Sequence, residues 1–262
     1  MYHMLLVFDI GNTHTVVGVF QKAKLVLHRR LSSFSQRTED EVWIMVKEYF
    51  GTGNLATSAV QDAVIVSVVP YLTDLYIRMV DKYLGFKSLV ISGTLDVGFS
   101  IPYNDPSQLG ADRICSVVAA RKKFGGPAVI VDFGTATTYD VISSKGEYLG
   151  GVIAPGVVTA GRNLTEKTAL LQLASFQFPA QVIGKSTKDA VQSGIMYNAL
   201  DGFEGMIRRL RRVAGKYTQV IATGGMAPVI MEMTNEIKYM EPNLVLEGAR
   251  IIFEKLWKKG KK

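Results

Sequence analysis

The sequence predicts an α/β protein made of two duplicated halves, each a mixed sheet flanked by helices. Three observations carry this. Short apolar runs rich in β-branched residues alternate with stretches of helical periodicity along the whole chain. Two similar turns occur, FDIGNTHTVV at 8–17 and VDFGTATTYD at 131–140, in which Asp9 falls on Asp132, Gly11 on Gly134 and Thr15 on Thr138. Each turn follows an apolar strand and precedes two more, a shared order that counts for more than the matched residues themselves.

The elements follow in order. LLVFDIG reads as a buried strand, and THTVVGVF and KLVLHRRL as two further strands joined by a polar turn near Gln21 and Lys22. Thr38 and Glu41 have capping-box spacing, Val42, Met45, Val46 and Tyr49 recur at helical intervals, and Gly51 is the expected stop. AVIVSVV is the next buried strand, Pro70 opens a helix running to Gly85, and KSLVIS is another strand. IPYNDPSQLGADR, with two prolines, is a lining or boundary loop, followed by a helix to about Phe124 that Gly125 and Gly126 end. PAVIVDFG enters the second turn, and TTYDVISSKGEYLGGVIAPG supplies two strands around Lys145 and Gly146. Ser186 or Thr187 caps a long helix, TQVIATGG is the last expected strand, and LVLEGARIIFEKLW is an amphipathic helix. The halves are placed near 1–112 and 113–262, and a cleft between such halves is a natural ligand site.

Composition narrows the function classes. Of 262 residues, 48% are hydrophobic and 20% charged, as in ordinary globular proteins. The single cysteine, Cys115, excludes an intramolecular disulfide and suits a reducing compartment. The start has no basic segment before its apolar run, which Asp9 interrupts, so no secretory signal is expected and the expected location is cytoplasmic. Runs such as AVIVSVVP are too short to span a bilayer, and no membrane partner is expected. Part of the net charge of +7 is local, in RRLRR at 208–212 and KKGKK at 258–262. These read as a solvated helix face and a chain end rather than a nucleic-acid surface.

The two turns carry the chemistry. Gly11 and Gly134 let backbone N–H groups approach a ligand, and successive N–H groups in a tight turn form an anion-binding concavity. Asn12, Thr13, Thr135, Thr137 and Thr138 add short polar side chains, so such a turn can hold phosphates without a lysine. Asp9 and Asp132 offer hard oxygen ligands for Mg²⁺ or K⁺, which phosphoryl transfer uses to offset charge. One such turn alone is ordinary hairpin chemistry; two in register favour phosphate binding. GKST at 184–187 lacks the upstream glycine of a Walker A loop and reads as a helix cap. ATGGMA at 222–227 is a third glycine turn, where Gly224 and Gly225 would let backbone lie against a planar group such as adenine.

Taken together, these motifs resemble the acetate kinase, sugar kinase, heat-shock chaperone and actin superfamily, and within it the type III pantothenate kinases. The resemblance spans nearly the whole chain: DIGNTHT at 9–15, SVVP at 67–70, GADR at 110–113, DFGTATTYD at 132–140, GGVIAPG at 150–156, IGKST at 183–187 with QSG at 192–194, ATGG at 222–225 and LEGARIIFEK at 246–255. It implies duplicated ribonuclease H-like (actin-like ATPase) halves and transfer of the γ-phosphate of ATP to pantothenate, the first step of coenzyme A biosynthesis. It implies that Asp9, Gly11, Asn12 and Thr13 hold the ATP phosphates, with Asp9 on Mg²⁺. Thr135, Gly224 and Gly225 fall on further ATP contacts, and Asp132 on a monovalent-cation ligand, K⁺ or NH₄⁺.

Asp112 falls on the family's catalytic base, and its place near a helix start favours an ionised carboxylate. Tyr103 and Gly110 fall on the pantothenate loop, and Arg113 would face the pantothenate carboxylate with its planar fork. Read without the resemblance, Asp112 and Arg113 are an exposed surface pair. Thr187 matches a pantothenate contact supplied by the neighbouring subunit, which implies a homodimer with composite active sites. His14 stands where many relatives have asparagine and receives no catalytic role. The chain departs from its relatives in LQLASFQF at 171–178 and at Asn198, near where many have glycine. Two other functions fit the same fold: a nucleotide-binding transcription accessory protein, or a kinase acting on another acceptor.

Overall fold

A computed structural model describes residues 3–34, 36–168, 170–171 and 175–260. The chain forms two compact units, Met1–Ala119 with Asn243–Lys262, and Ala120–Pro242.

The first unit opens with strands β1 (Met4–Ile10), β2 (His14–Gln21) and β3 (Lys24–Ser32), followed by helix α1 (Glu39–Thr52), strand β4 (Val60–Ser67), helix α2 (Pro70–Leu84), strand β5 (Leu89–Val90) and helix α3 (Ala111–Phe124), whose last turn lies in the second unit. Its sheet has the order β3-β2-β1-β4-β5. β1 and β2 and β2 and β3 pair antiparallel, while β1 and β4 and β4 and β5 pair parallel. Val17, Val19, Leu27 and Leu31 pack with Val42, Val46 and Phe50 of α1 and Leu72, Leu75, Tyr76 and Met79 of α2. Phe8 meets Tyr76 edge-on, with ring centroids 4.8 Å apart. Burial of Tyr76 pushes its phenol pKa up to about 12.

The capping box at Thr38 and Glu41 forms as expected. α1 runs past Gly51 to Thr52, and Gly53 caps it by donating to the Tyr49 carbonyl at 3.0 Å. Gly85 closes α2 in the left-handed conformation, φ 76°. Of KSLVIS only Leu89 and Val90 pair with the sheet.

The second unit contains β6 (Ala128–Phe133), β7 (Ala136–Ile142), β8 (Tyr148–Pro155), α4 (Val157–Glu166), α5 (Thr187–Ala214), β9 (Gln219–Thr223), α6 (Ala227–Met231) and β10 (Tyr239–Met240). Its sheet order, β10-β9-β6-β7-β8, repeats the first sheet strand for strand, with β6 in the place of β1 and the same antiparallel and parallel pairings. This is the duplicated α/β architecture that the two turns predict. β9 is not the last strand, since β10 follows it. α4 and α6 are also additions to the sequence reading. VVTAGRNLTE opens on β-branched residues that disfavour a helix, and α6 has only five residues.

The terminal helix α7 (Leu244–Gly260) belongs with the first unit. Its Leu246 lies against Gly18, where a Cβ would come within 2.8 Å of Leu246 Cδ1. Gly248 sits so near the Cys115 backbone that any side chain there would overlap it. The units therefore differ from halves at 1–112 and 113–262. The first turns of α3 and all of α7 lie with the first sheet, because α7 packs on β1 and β4.

The structure also shifts the alignment of the two turns. Asp9 pairs with Val16 but Asp132 with Thr138, since three residues separate β1 from β2 and two separate β6 from β7. The structural counterpart of Thr15 is thus Thr137 rather than Thr138. Both are buried, at 0% and 5% exposure. A one-residue slip reverses the sheet face, which an ungapped alignment hides.

Candidate active site

The first turn is built by backbone closure. The Gly11 N–H donates to the His14 carbonyl at 3.0 Å, and a Cβ on Gly11 would stand 3.2 Å from that oxygen. The start of the α1 approach supports the turn from the side. The Ser33 N–H donates to the Thr13 carbonyl at 3.0 Å, and the Ser33 and Thr15 hydroxyls are 2.8 Å apart. Asn12 and Thr13 are left exposed at the tip, and Asp9 stands one residue before the end of β1.

Asp112, second residue of α3, lies in the same unit. Burial pushes its pKa above the ordinary aspartate value, opposed by the Arg113 N–H, which donates to Oδ1 at 2.7 Å, and by the Arg113 charge. The helix start therefore does not leave Asp112 the easily ionised carboxylate that its position predicts. Desolvation outweighs the helix end and makes Asp112 a stronger base. Burial, then the charges of Asp9 and Asp112, push the Cys115 thiol well up, so both carboxylates act on one buried point and Cys115 is no nucleophile.

Arg113 is buried, at 8% exposure, and its Nη1 donates to the Tyr103 hydroxyl at 3.4 Å. The exposed-pair reading of Asp112 and Arg113 fails on this burial. Gly110 is required by Asp112, because a Cβ there would lie 2.5 Å from Asp112 Oδ1. The loop that brings Tyr103 is set by Asp105, which accepts from the Ser107 N–H at 2.9 Å and the Ser107 hydroxyl at 2.7 Å.

In the second unit the Gly134 N–H donates to the Ala136 carbonyl at 3.1 Å. The Thr135 carbonyl accepts from the Gly156 N–H at 3.2 Å and from the Thr159 hydroxyl at 2.6 Å. Gly224, with φ 91°, packs against Phe133 and the Asp132 carboxylate, while a Cβ on Gly225 would meet nothing within 4 Å. Asp132, Thr135, Gly224 and Gly225 are thus brought together at one end of the second sheet. Gly156 and Thr159 support this turn without having been singled out; for Gly156 the signal was the glycine of APG at 154–156, where β8 ends and α4 begins.

Ser186, not Thr187, caps α5: its hydroxyl accepts from the Asp189 N–H at 3.1 Å. Thr187 is the first helical residue and lines a groove of about 730 Å³ with Val157, Leu164, Asn198, Phe203 and Met206. The Asn198 amide donates back to the Gly194 carbonyl at 2.7 Å. Within LQLASFQF, residues 172–174 lie outside the described residues, as do residues 261 and 262 of KKGKK. In the arginine run, Arg211 bonds Glu236 and Arg208 stands 3.8 Å from Glu204.

Among the described residues no cluster of three or more His, Cys, Asp or Glu side chains forms a metal cage. A single carboxylate such as Asp9 fits Mg²⁺, which is held by one or two carboxylates together with substrate phosphates and water. No described helix is long and apolar enough to cross a membrane.

Residues 5–209 match the family model described as Type III pantothenate kinase. A Type III pantothenate kinase of Moorella thermoacetica is 42% identical over 96% of this chain and 99% of its own. Among solved structures, a conserved protein of the Baf family of transcriptional activators from Campylobacter jejuni superposes with a TM-score of 0.61 at 20% identity, covering 97% of this chain and 99% of its own. The activator of 2-hydroxyisocaproyl-CoA dehydratase from Clostridium difficile, with bound ADPNP, gives 0.54 at 14% identity over 100% and 97%. At these identities the two structures establish likeness of fold.

Proposed function

This chain belongs to the type III pantothenate kinase family, and from that premise we infer that it transfers the γ-phosphate of ATP to the 4′-hydroxyl of pantothenate, the first step of coenzyme A biosynthesis. The observation that carries the assignment of residues is the grouping of Asp112, Gly110, Arg113 and Tyr103 in one unit with the first phosphate turn. Asp112 takes the proton of the attacking hydroxyl, and the pKa that burial raises suits it to that task. Arg113, held by Tyr103, receives the pantothenate carboxylate through its fork. Asp9, Gly11, Asn12 and Thr13 hold the phosphates in line, and in the second unit Thr135, Gly224 and Gly225 serve as ATP contacts. Mg²⁺ at Asp9 neutralises charge on the transferring group. Asp132 holds a monovalent cation, K⁺ or NH₄⁺.

The active form is a homodimer with composite sites. Thr187 is free of capping duty, because Ser186 performs it, and can serve a partner's substrate. The apolar groove beside Thr187 and the exposed side chains of Val182 and Ile183 support a protein contact there. A regulator acting on nucleic acid would draw on the basic run RRLRR at 208–212, two of whose arginines are paired with acids.

The test is ADP release by the purified protein with ATP, Mg²⁺ and pantothenate, in potassium and then in sodium buffer. Pantothenate-dependent release is expected, faster in potassium. Release indifferent to pantothenate, or none, in a folded protein would turn the assignment toward another acceptor or a regulator. Equal rates in the two buffers would remove the cation from Asp132.

A further inference from the structure

We propose that Arg30, on β3, is a further phosphate-binding residue of the first turn, held in place by His14. The inference rests on the reading of that turn as the ATP phosphate site. The turn residues Gly11, Asn12 and Thr13 include no cation, and the nearby carboxylates Asp9 and Asp112 add negative charge that repels a polyphosphate.

The sheet register places a cation on the correct face. Asp9 pairs with Val16, and Val16 pairs with Arg30 on its other side. Residues directly opposite one another in neighbouring strands present their side chains to the same face, so Asp9, Val16 and Arg30 form a row across three strands. Two strand spacings separate the backbones of Asp9 and Arg30 by about 10 Å. His14 lies on that same face, two residues nearer the turn than Val16. The Arg30 Nη2 donates to its Nδ1 at 2.6 Å, so the side chain leans along the sheet toward the turn rather than away from it.

His14 is therefore fixed at both ends of its residue. Its carbonyl accepts the Gly11 N–H that closes the turn, and its ring accepts from Arg30. Arginine has no acceptor, so Nδ1 carries the lone pair and the ring proton resides on Nε2. The Arg30 side chain is exposed, and a guanidinium has five N–H donors, of which this bond uses one. A planar fork anchored beside backbone N–H donors matches phosphate geometry, and charge-assisted bonds of this kind are the stronger class. Arg30 thus supplies the positive charge that P-loop enzymes draw from a lysine within the loop.

The test compares wild type, Arg30→Gln and Arg30→Lys in binding ATP with Mg²⁺, ADP with Mg²⁺, and adenosine, which has no phosphate. Arg30→Gln should lower ATP affinity by roughly 10- to 100-fold, as loss of a charge-assisted bond does, and leave adenosine affinity within about twofold. Arg30→Lys should recover part of the ATP affinity, since it keeps the charge and loses the fork. Equal losses for ATP and adenosine would make Arg30 a structural support and overturn the proposal, as would an unchanged ATP affinity. If wild type, folded, binds adenosine but gains nothing from the phosphates, the phosphate-turn reading falls and Arg30 with it. If wild type gains and Arg30→Gln gains equally, only the role of Arg30 falls.

Discussion

The Asp112 carboxylate occupies space that a side chain on Gly110 would take: Oδ1 lies 2.5 Å from where the Cβ would stand. The glycine is thus a condition for the rotamer of the proposed base. Gly110→Ala should displace the carboxylate while the helix behind it stays folded. We expect kcat to fall at least about tenfold, as small misplacements of reacting groups do, with ATP affinity within about twofold. Steady-state kinetics with a melting curve checks this. An undiminished kcat would mean that the carboxylate can act from another rotamer.

Asp112→Asn should cost about 10²- to 10⁴-fold in turnover, the range for a lost general base, and leave ATP binding nearly intact. The same variant has a stability signature. Burial raises the folded pKa of Asp112 above its unfolded value. Between those two values the native state holds more protons than the unfolded state, so stability falls as pH rises through that window. Above it the penalty of the buried charge is fully present; below the unfolded value, about 3.9, it is absent. Asp112→Asn should therefore melt higher than wild type at pH 8 and lose that advantage near pH 3.5. In wild type, kcat/KM should fall with acidification at a higher pH than an ordinary aspartate would give. Identical melting at pH 8 would contradict a desolvated carboxylate.

The repeated strand–turn–strand–strand order was legible because period and turn chemistry are local. Asp9 and Asp132, each ending an apolar run before a glycine, announced the duplication. What the sequence concealed was set by packing. Gly51 looked like the end of α1, but it sits in the helix and Gly53 caps it. The slip between Thr15 and Thr138 arises from a turn one residue shorter, visible only in the pairing. Asp112 kept its predicted place and changed its predicted ionisation, since desolvation depends on neighbours far along the chain. Arg30 could not be singled out, because only the strand register aligns it with Asp9.

Tyr148 and Asp140 test the rigidity of the second sheet. The Tyr148 hydroxyl donates to Asp140 Oδ1 at 2.8 Å, and Asp140 is 2% exposed. Tyr148→Phe removes one donor from a buried carboxylate and should cost about 1–3 kcal/mol. For a chain of this size each kcal/mol lowers the melting temperature by roughly 2–4 °C. The kinetic constants at 25 °C should stay near wild type, since neither residue is placed in the site. A melting temperature equal to wild type would show that other partners of Asp140 compensate.

Ser186 and Thr187 are adjacent and should separate cleanly by mutation. Ser186 bonds the Asp189 N–H, so Ser186→Ala should cost about 1 kcal/mol of stability. Thr187→Val removes no cap; it should leave melting nearly unchanged and raise the KM for pantothenate. The proposed composite sites can be tested by a mixing experiment. The Asp112→Asn and Thr187→Val variants, each impaired at low pantothenate, are unfolded together and refolded. In a mixed dimer one site combines both defects, while the other combines an intact Asp112 with the partner's intact Thr187. With random pairing, half the dimers are mixed and one of their two sites is whole, so activity should return to about a quarter of wild type. Activity no higher than the mean of the two parents would place Thr187 in the same subunit's site, or outside the site altogether.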